Sequence, residues 1–457
     1  MSSSPPRHIA VIDIGKTNAK VVVIDRADGV QRGARTTPNI VLEDIPYPHM
    51  DVERLWAFII EALADLGRTH GIDGISITTH GACGALVNDK GLVLPVLDYE
   101  SDVPDAAREA YERVRPDFSE TLSPRLPGGL NWGAQLFWQS RAFPDAFGEA
   151  TAILPYPQYW AWRLTGTLAS EVTSLGCHTD LWAPDRGDYS SMVDALGWRS
   201  LFPPLRPAAS VIGTLLPEIA AITGLAADLP VACGIHDSNA SLVPHLGRDT
   251  GPQTILSSGT WTILMTLGGK TSGLDPRRDS LANVDAHGRP VPTARFMGGR
   301  EFDLLVPQIV TPTEAEIAHV IDTGIMALPS FVPGVGPFGL RTGGWTQASG
   351  SLTPGQRNAA ASLYLALMAR EALDLCGLGR SIVIEGPLAR NRLFGQALAR
   401  LAGVPVRPSG DSTGTSLGAS LLFGGGLSEA CEVPACEPLH SAGFDLYVEN
   451  WRRQLSS

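Results

Sequence analysis

Two apolar β-branched runs, each folded around a short polar turn that contains glycine, divide this chain into similar halves. The first covers residues 9–25 with its turn at Gly15, and the second covers residues 254–265 with its turn at Gly259. Runs of this kind on both sides of a glycine turn are typical of β-hairpins. A strand-turn-strand unit that recurs in each half indicates a duplicated architecture with a cleft between the halves.

The chain length supports the same division. At 457 residues the chain exceeds what one compact core usually holds, so we expect two domains. Strands alternate with helices along the first half, which favours the α/β class. We place the domains at residues 1–245 and 246–457, with the boundary in a stretch of Pro, Gly and charged residues near Pro244 to Thr254. A tryptophan-rich helical insertion at about 103–201 fits a substrate lid and a plain helical subdomain equally well.

The composition argues against several kinds of partner. The net charge of -12 disfavours nucleic-acid binding, which needs a basic face that neutralises phosphates. No apolar run approaches the ~20 residues that cross a bilayer, and the short polar start lacks the apolar stretch of a signal peptide. The cysteines are scattered along the chain, which is typical of reduced thiols in a protein core. Cys431 and Cys436 lie close together in the sequence, but this pair is only a weak indication of a metal site. We therefore expect a cytoplasmic protein without nucleic-acid or membrane partners. Whether the chain forms a homodimer is left open by the sequence.

Both glycine turns carry groups that bind phosphate. Asp13 ends the first strand, and a carboxylate on a rigid strand suits a magnesium ion near the β- and γ-phosphates. Backbone N–H groups, an ammonium and hydroxyls supply donors for phosphate oxygens. The donor residues are Gly15, Lys16 and Thr17 in the first turn and Gly259 and Thr260 in the second. One such turn is also explained as an ordinary hairpin with an Asx hydrogen bond, whereas a matched pair indicates that a phosphate chain is held from both halves.

Two further segments complete the chemistry. Asp237 follows a strand and Gly234, at the start of a helix, where a carboxylate orients a substrate hydroxyl and takes its proton as the O–P bond forms. The alternative interpretation is that Asp237 only caps the following helix. Near the end, the strand at residues 381–385 passes through Gly386 into a helix, and such a close junction lets backbone approach a nucleotide. The pattern G-x-x-x-x-G-K-[ST] does not occur, which argues against a P-loop NTPase.

Taken together, these motifs resemble the FGGY family of carbohydrate kinases, which is built on the actin-like ATPase fold. The resemblance spans nearly the whole chain and rests on motifs in the family's order. The matching segments are residues 13–20 and 258–260 for the phosphate turns, 79–81 for the sugar-contact turn, 136–138 and 159–166 for two helix motifs, 234–237 for the catalytic aspartate, 386–391 for the adenosine loop and 417–419 for the closing helix.

Three departures concern the substrate more than phosphoryl transfer. A glycine of the adenosine loop is Pro387 here, which removes an N–H group. The tryptophan-aspartate-arginine sugar contacts of many members are replaced by residues 98–102, and the lysine before the Leu-x-Trp motif is Gln135. The Ser-Gly-Thr-Trp turn at residues 258–261 and the altered sugar contacts look closer to the L-rhamnulose and L-fuculose kinases than to glycerol or xylulose kinases.

The resemblance implies an α/β fold of two actin-like (ribonuclease H-like) ATPase domains that phosphorylate a small sugar, a ketose or deoxyketose, with ATP and Mg²⁺. It implies that Asp237 is the general base and that Asp13 holds Mg²⁺. The remaining implied contacts are Gly15, Lys16, Thr17, Gly259 and Thr260 for the phosphates, Gly386 and Asn391 for adenosine, and His80, Tyr99 and Asp237 for the sugar. Two alternatives stay open, an actin-like ATPase with a conformational cycle and a non-catalytic sugar sensor.

Overall fold

The structure is a computed structural model that describes residues 6–246, 251–409, 414–424 and 433–456. These residues form two units. Unit 1 contains residues 6–246, 282–290 and 414–424, and unit 2 contains residues 251–281, 291–409 and 433–456. Cys431 and residues 247–250 of the predicted boundary lie outside the described residues. The described cysteines, none of which forms a disulfide, are Cys83, Cys177, Cys233, Cys376 and Cys436.

The strands and helices of residues 6–246 are numbered in chain order. The strands are β1 (His8–Ile14), β2 (Asn18–Asp25), β3 (Val30–Pro38), β4 (Val41–Leu42), β5 (His49–Met50), β6 (Gly74–Thr79), β7 (Gly84–Asn88), β8 (Gly91–Leu92), β9 (Ala152–Pro155), β10 (Trp182–Ala183), β11 (Asp188–Tyr189), β12 (Val211–Thr214), β13 (Pro230–Ala232) and β14 (Ile235–His236). The α-helices are α1 (Val52–His70), α2 (Arg108–Glu112), α3 (Phe118–Thr121), α4 (Trp132–Ala142), α5 (Pro144–Gly148), α6 (Tyr156–Thr165), α7 (Val172–Leu175), α8 (Ser191–Ala195), α9 (Pro217–Thr223) and α10 (Asp237–Ala240).

The numbering continues through the rest of the chain. The strands are β15 (Gln253–Ser258), β16 (Thr262–Leu267), β17 (Ser280–Val284), β18 (Pro290–Phe296), β19 (Ala327–Leu328), β20 (Gly344–Trp345), β21 (Ile382–Glu385) and β22 (Val406–Pro408). The α-helices are α11 (Gly298–Leu305), α12 (Glu314–Thr323), α13 (Pro354–Cys376), α14 (Arg392–Ala402), α15 (Gly414–Ser420) and α16 (Phe444–Ser456). The 3₁₀ helices are Val103–Ala107, Arg199–Leu201, Val243–His245, Thr271–Gly273, Pro276–Arg278, Ser349–Ser351, Pro387–Arg390 and Leu421–Phe423. No helix in the described part of the chain combines the length and apolar character needed to cross a membrane.

The main sheet of unit 1 has the strand order β12-β13-β6-β1-β2-β3, and β14 also pairs with β6. β1 is antiparallel to β2, which forms the first predicted hairpin, and parallel to β6. Every residue of β1 after His8 is buried, as expected for a central strand whose two faces are both covered. Helix α1 begins at the N-cap Asp51, whose side chain accepts a hydrogen bond from the N–H of Arg54.

The sheet of unit 2 repeats this pattern. Its strands follow the order β18-β16-β15-β21-β22, with β15 antiparallel to β16 and parallel to β21. Strands β15, β16 and β21 therefore correspond to β1, β2 and β6, and both hairpins predicted from the sequence are confirmed. Helix α13 begins with a capping box between Thr353 and Gln356 and is buried along most of its length, which makes it the central helix of this core.

The region predicted as a helical insertion, residues 103–201, is more mixed than its composition indicates. Helices α4 and α6 are present, but the apolar run Ala152–Pro155 forms strand β9 instead. β9 pairs antiparallel with β7, which completes a three-stranded sheet in the order β8-β7-β9. A four-residue apolar run fits a buried strand or a buried helical turn, so its partner strand decides the outcome.

Candidate active site

Three strands of unit 1 end side by side and bring three of the predicted site residues to one edge of the sheet. β1 and β14 both run parallel to β6, and their register places the three strand ends level. Asp13 is the next-to-last residue of β1, His80 directly follows β6, and Asp237 directly follows β14. The carboxyl ends of parallel strands are where open α/β sheets bind their ligands.

Asp13 is buried at this edge with one oxygen engaged. Its Oδ2 accepts a hydrogen bond from the hydroxyl of Ser416 at 2.7 Å and lies 3.2 Å from Nζ of Lys20. Burial raises the pKa of Asp13, and the ammonium of Lys20 opposes that shift. Among the described residues, no group of three or more His, Cys, Asp or Glu side chains could hold a metal ion by itself. A single carboxylate still suits Mg²⁺, which is usually held by one or two carboxylates, water and substrate phosphates.

Some backbone N–H groups in the turn after Asp13 have no hydrogen-bond partner among the described residues. The N–H of Gly15 donates to the carbonyl of Asn18 at 2.9 Å and closes the turn. The N–H groups of Lys16 and Thr17 donate to no residue that the structure describes, and Thr17 is exposed. Successive free N–H groups in a turn make a concave site for anions, so the turn has the donors that a phosphate needs.

The ammonium of Lys16 lies on the side where the sugar contacts were predicted. Its Nζ pairs closely with Oδ1 of Asp98, lies 3.3 Å from Oε2 of Glu100, and is 5.1 Å from the ring centre of Tyr99. Both carboxylates belong to the segment that replaces the tryptophan-aspartate-arginine contacts of the family. The structure therefore brings Lys16 and Tyr99 together, in a cation–π contact that stabilises both side chains.

His80 is buried between two aromatic rings and has one unused nitrogen. Its ring centre is 5.2 Å from that of Tyr99 and 5.2 Å from that of Tyr156. Nδ1 lies 3.0 Å from the carbonyl of Gly81, and a carbonyl only accepts, so Nδ1 carries the proton. Burial lowers the pKa of His80, which keeps the ring neutral and makes Nε2 an acceptor. Nε2 has no partner among the described residues. It is therefore a buried acceptor that the described residues leave unsatisfied.

Asp237 opens the short helix α10 with its side chain 30% exposed. The N–H of Ser238 donates to Oδ1 at 2.5 Å, and Nε2 of His236 lies 3.1 Å from the same oxygen. Both contacts use Oδ1, so Oδ2 remains without a partner among the described residues. The carboxylate is held by one oxygen and presents the other.

Several residues of this edge were not singled out from the sequence as functional. They are Lys20, Asp98, Cys177, His236, Asn239 and Ser416. His236 and Asn239 stand in the same segment as Asp237, so the motif itself contained their signal. Ser416 lies in α15, the small-residue helix that the sequence did predict, whereas nothing in the local sequence distinguishes Cys177.

The second phosphate turn lies in unit 2 between β15 and β16. The N–H of Gly259 donates to the carbonyl of Trp261 at 2.8 Å, and both Gly259 and Thr260 are exposed. Gly299, near the start of α11, packs directly on this turn, and a Cβ at that glycine would collide with the carbonyl of Gly259. The turn is therefore supported from behind by backbone, with its exposed side left open.

The adenosine loop is joined to the same turn through Ser258. The hydroxyl of Ser258 donates to the carbonyl of Glu385 at 2.5 Å and accepts from the N–H of Leu388 at 3.0 Å. Gly386 has φ +78°, and a Cβ there would collide with the carbonyl of Ser258. Glycine is required at this position because both the backbone angle and the close approach exclude a side chain. Pro387, which begins the following 3₁₀ helix, fits because its missing N–H has no helical partner there.

A cavity of about 670 Å³ opens beside this loop within unit 2. Its walls combine apolar side chains with a few polar ones, as small-molecule sites usually do. The lining residues include Ser258, Gly259, Thr260, Phe302, Ile309, Val310, Pro387, Leu388 and Asn391. The side chain of Asn391 accepts from the N–H of Phe394 at 3.0 Å and donates to Ser362 at 2.9 Å, so it shapes the cavity as the N-cap of α14. Gly386 is not part of the lining and acts through the loop that it permits.

A valine at position 259 tests the second turn. The space around a Cβ at Gly259 is open, since the nearest atom is the carbonyl of Trp261 at 4.0 Å, so the variant should fold. We expect Gly259→Val to weaken ATP–Mg²⁺ binding roughly tenfold or more, equivalent to about 1.4 kcal/mol, because the side chain occupies the phosphate side of the turn. Calorimetry measures the affinity, and Gly350→Val is the matched control at another open glycine. Unchanged ATP affinity in Gly259→Val would remove this turn from the site.

Two α/β units that share one sheet pattern, with a glycine turn after the first strand of each and a carboxylate at a strand end, define the class of actin-like ATPases and kinases. Residues 8–244 match the N-terminal domain of the FGGY family of carbohydrate kinases, and residues 250–431 match "Carbohydrate kinase FGGY, C-terminal domain". The chain belongs to the FGGY family of carbohydrate kinases, and the family and fold class predicted from the sequence are confirmed.

Known proteins similar to this chain are sugar kinases. An L-fuculokinase of Salmonella typhi is 27% identical over 445 residues, which cover 92% of this chain and 93% of that protein. The crystal structure of a carbohydrate kinase from Novosphingobium aromaticivorans is 39% identical with a TM-score of 0.92 and covers 99% of both chains. A xylulose kinase structure from Rhodospirillum rubrum, at 21% identity and a TM-score of 0.77 over 98% of both chains, shares the fold.

Proposed function

We propose that this enzyme transfers the γ-phosphoryl group of ATP to a hydroxyl of a ketose, with Asp237 as the general base. The observation that carries the proposal is the arrangement of Asp237, whose Oδ1 is held by Ser238 and His236 while Oδ2 stays without a partner among the described residues. Asp237 also stands at the carboxyl edge of the sheet, where open α/β sheets bind their ligands, which favours a role in the reaction over capping alone.

In the proposed reaction, Asp237 orients the substrate hydroxyl through Oδ2. The hydroxyl oxygen forms a bond to the γ-phosphorus while the bond from that phosphorus to the β–γ bridging oxygen breaks. The hydroxyl proton passes to Asp237 as the new O–P bond forms, because a sugar hydroxyl is too weak an acid to lose it beforehand. The products are the sugar phosphate and ADP, and the proton then leaves Asp237 to solvent.

The phosphate groups are assigned to the two turns. In unit 1 we assign Gly15, Lys16 and Thr17, with the free N–H groups of the last two as the main donors. In unit 2 we assign Gly259 and Thr260, which line the cavity that we propose for adenosine. Gly386 and Asn391 then shape the adenosine side. We keep residues 1–245 and 246–457 as the proposed N- and C-terminal domains.

Asp13 is proposed to hold Mg²⁺, directly or through water. Its Oδ2 is shared between Ser416 and Lys20, and Oδ1 accepts no hydrogen bond from any residue that the structure describes. When bound, Mg²⁺ neutralises charge on the β- and γ-phosphates. The ammonium of Lys20, 3.2 Å away, favours the carboxylate form of Asp13 and so opposes the rise in its pKa that burial causes.

For the substrate we propose a 6-deoxyketose such as L-fuculose or L-rhamnulose. Two features support this choice. His80 has an acceptor nitrogen without a partner among the described residues, and the partly exposed ring of Tyr99, whose centre is 5.2 Å from that of His80, offers aromatic surface to a methyl group. In addition, the L-fuculokinase of Salmonella typhi aligns over 92% of this chain. In this proposal His80 and Tyr99 place the sugar and Asp237 contacts the reacting hydroxyl.

A coupled ADP-release panel tests both the reaction and the substrate. We expect L-fuculose or L-rhamnulose to give a higher kcat/KM than glycerol or D-xylulose, because a site built to bind particular hydroxyls discriminates strongly against substrates that place them differently. A panel in which glycerol or D-xylulose is clearly preferred would overturn the deoxyketose assignment alone. An ATPase rate that no sugar changes would instead favour the conformational ATPase and overturn the kinase reaction.

A further inference from the structure

Strand β14, which leads directly into Asp237, has a neighbouring strand on one side only. It runs parallel to β6, and no other described strand pairs with it. Both of its residues, Ile235 and His236, are buried, so bulk water does not reach its outer edge. Buried backbone N–H and C=O groups are almost always hydrogen-bonded in folded proteins. The groups on the outer edge of β14 therefore need partners other than a strand.

Two side chains from neighbouring helices supply these partners. Nε2 of Gln158, in α6, donates to the carbonyl of Cys233 at 2.9 Å and to that of Gly234 at 3.2 Å. The hydroxyl of Thr173, in α7, accepts from the N–H of His236 at 3.0 Å. Both side chains are fully buried. Together, Gln158 and Thr173 make the hydrogen bonds that a further strand would make along this edge.

The hydroxyl of Thr173 is itself held by a buried carboxyl group. It donates to Oε2 of Glu171 at 2.5 Å, and the backbone N–H of Thr173 donates to the same oxygen at 3.0 Å. Glu171 is the N-cap of α7, so these bonds fix the hydroxyl at the start of that helix. A backbone N–H can only donate, so the oxygen of Thr173 accepts from His236 whatever the protonation state of Glu171 or of the His236 ring.

We propose that Thr173 and Gln158 are positioning residues for the general base, which fix the backbone of residues 233–236 and thereby the place of Asp237 at the carboxyl edge of the sheet. This inference rests on the proposed role of Asp237. Neither residue is hydrogen-bonded to the side chain of Asp237, so their effect passes through the backbone alone. A reacting group that is displaced by about 1 Å can cost about 10²-fold in rate. Strand β6 by itself holds only the inner edge of this segment.

Valine and serine at position 173 separate the hydrogen bond from packing. Thr173→Val keeps the shape of the side chain but removes the acceptor, which leaves the N–H of His236 without its partner. We expect this variant to lower kcat roughly ten- to a hundredfold, with the KM for the sugar and the calorimetric ATP affinity within about threefold of the wild type. Thr173→Ser retains the hydroxyl and should restore most of kcat. A serine variant as impaired as the valine variant would assign Thr173 to packing and overturn the proposal.

Thr223→Val is the matched control within unit 1. The hydroxyl of Thr223, at the end of α9, is also buried, accepts from the N–H of Leu225 at 3.4 Å and donates to the carbonyl of Ile219 at 2.7 Å. The exchange therefore removes a similar pair of hydrogen bonds away from β14. Its kcat per ATP-binding site should equal that of the wild type. If Thr223→Val loses as much kcat as Thr173→Val, the loss reflects general destabilisation, and the positioning role is overturned.

Amide hydrogen exchange of the full-length protein gives a readout that does not depend on turnover. In both Thr173→Val and Gln158→Leu, a peptide covering residues 233–238 should exchange at least ~tenfold faster than in the wild type, while the peptide that contains β1 keeps its rate. Unchanged exchange of residues 233–238 in both variants would overturn the inference even if kcat falls. If the wild type phosphorylates no sugar in the panel, the proposed function fails instead, and the exchange rates still decide whether Thr173 and Gln158 fix this segment.

Discussion

Replacing Asp237 with asparagine is expected to lower kcat at least ~10²-fold, the scale of losing a general base. In the wild type the N–H of Ser238 donates to Oδ1 of Asp237 at 2.5 Å. The amide oxygen of Asn can accept the same hydrogen bond, so the start of α10 should be preserved. The position of Oδ2 would hold an NH₂ group, which cannot take the hydroxyl proton. ATP affinity should change little, because Asp237 belongs to the sugar side of the proposed site.

Stopped-flow or coupled assays measure kcat, and calorimetry measures ATP binding in the same preparation. Asp89→Asn is a matched control, the same exchange at an exposed residue in the turn between β7 and β8. An Asp237→Asn enzyme that retains more than half of the wild-type kcat would contradict the general-base assignment. A parallel loss of ATP affinity would show that the exchange disturbs more than the base.

The sequence predicts the fold well where the residues of a single element form a recognisable pattern. The two hairpins follow from β-branched runs around glycine turns, and β21 and α14 follow from an apolar run, a glycine and an amphipathic helix. The strand Ala152–Pro155 could not be predicted in the same way, because its identity depends on pairing with β7, which lies far away in the chain. The assignment of residues 282–290 and 414–424 to unit 1 could not be predicted either, because only tertiary contacts reveal it.

The residues of the candidate site also differ in how far the sequence predicts them. Asp13, His80 and Asp237 are predictable because each follows a buried strand, and parallel strands bring such residues to one edge. Contacts between residues from distant parts of the chain are not predictable in this way. Lys16 pairs with Asp98, which is 82 residues away, and His236 contacts Cys177, which is 59 residues away. No local pattern encodes such a contact.

Replacing His80 is the second change with a large expected effect. His80→Ala should lower kcat/KM for the preferred sugar by roughly ten- to a hundredfold, the range for losing one or two hydrogen bonds. The physical reason is the neutral ring, in which Nδ1 donates to the carbonyl of Gly81 and Nε2 is left to accept from a substrate hydroxyl. Most of the loss should be in KM, since a contact made equally in the ground state and transition state changes binding alone.

His80→Phe separates this hydrogen bond from packing. Phenylalanine retains an aromatic ring beside Tyr99 and Tyr156, whose ring centres are each 5.2 Å from that of His80, but it has no acceptor nitrogen. If Nε2 accepts from the sugar, His80→Phe should lose as much kcat/KM as His80→Ala while its urea midpoint stays closer to that of the wild type. A His80→Phe enzyme with wild-type kcat/KM would assign His80 to packing. The sugar contact would then have to come from Tyr99 or from the Lys16–Asp98 pair, which Tyr99→Phe and Asp98→Asn distinguish by the same two measurements.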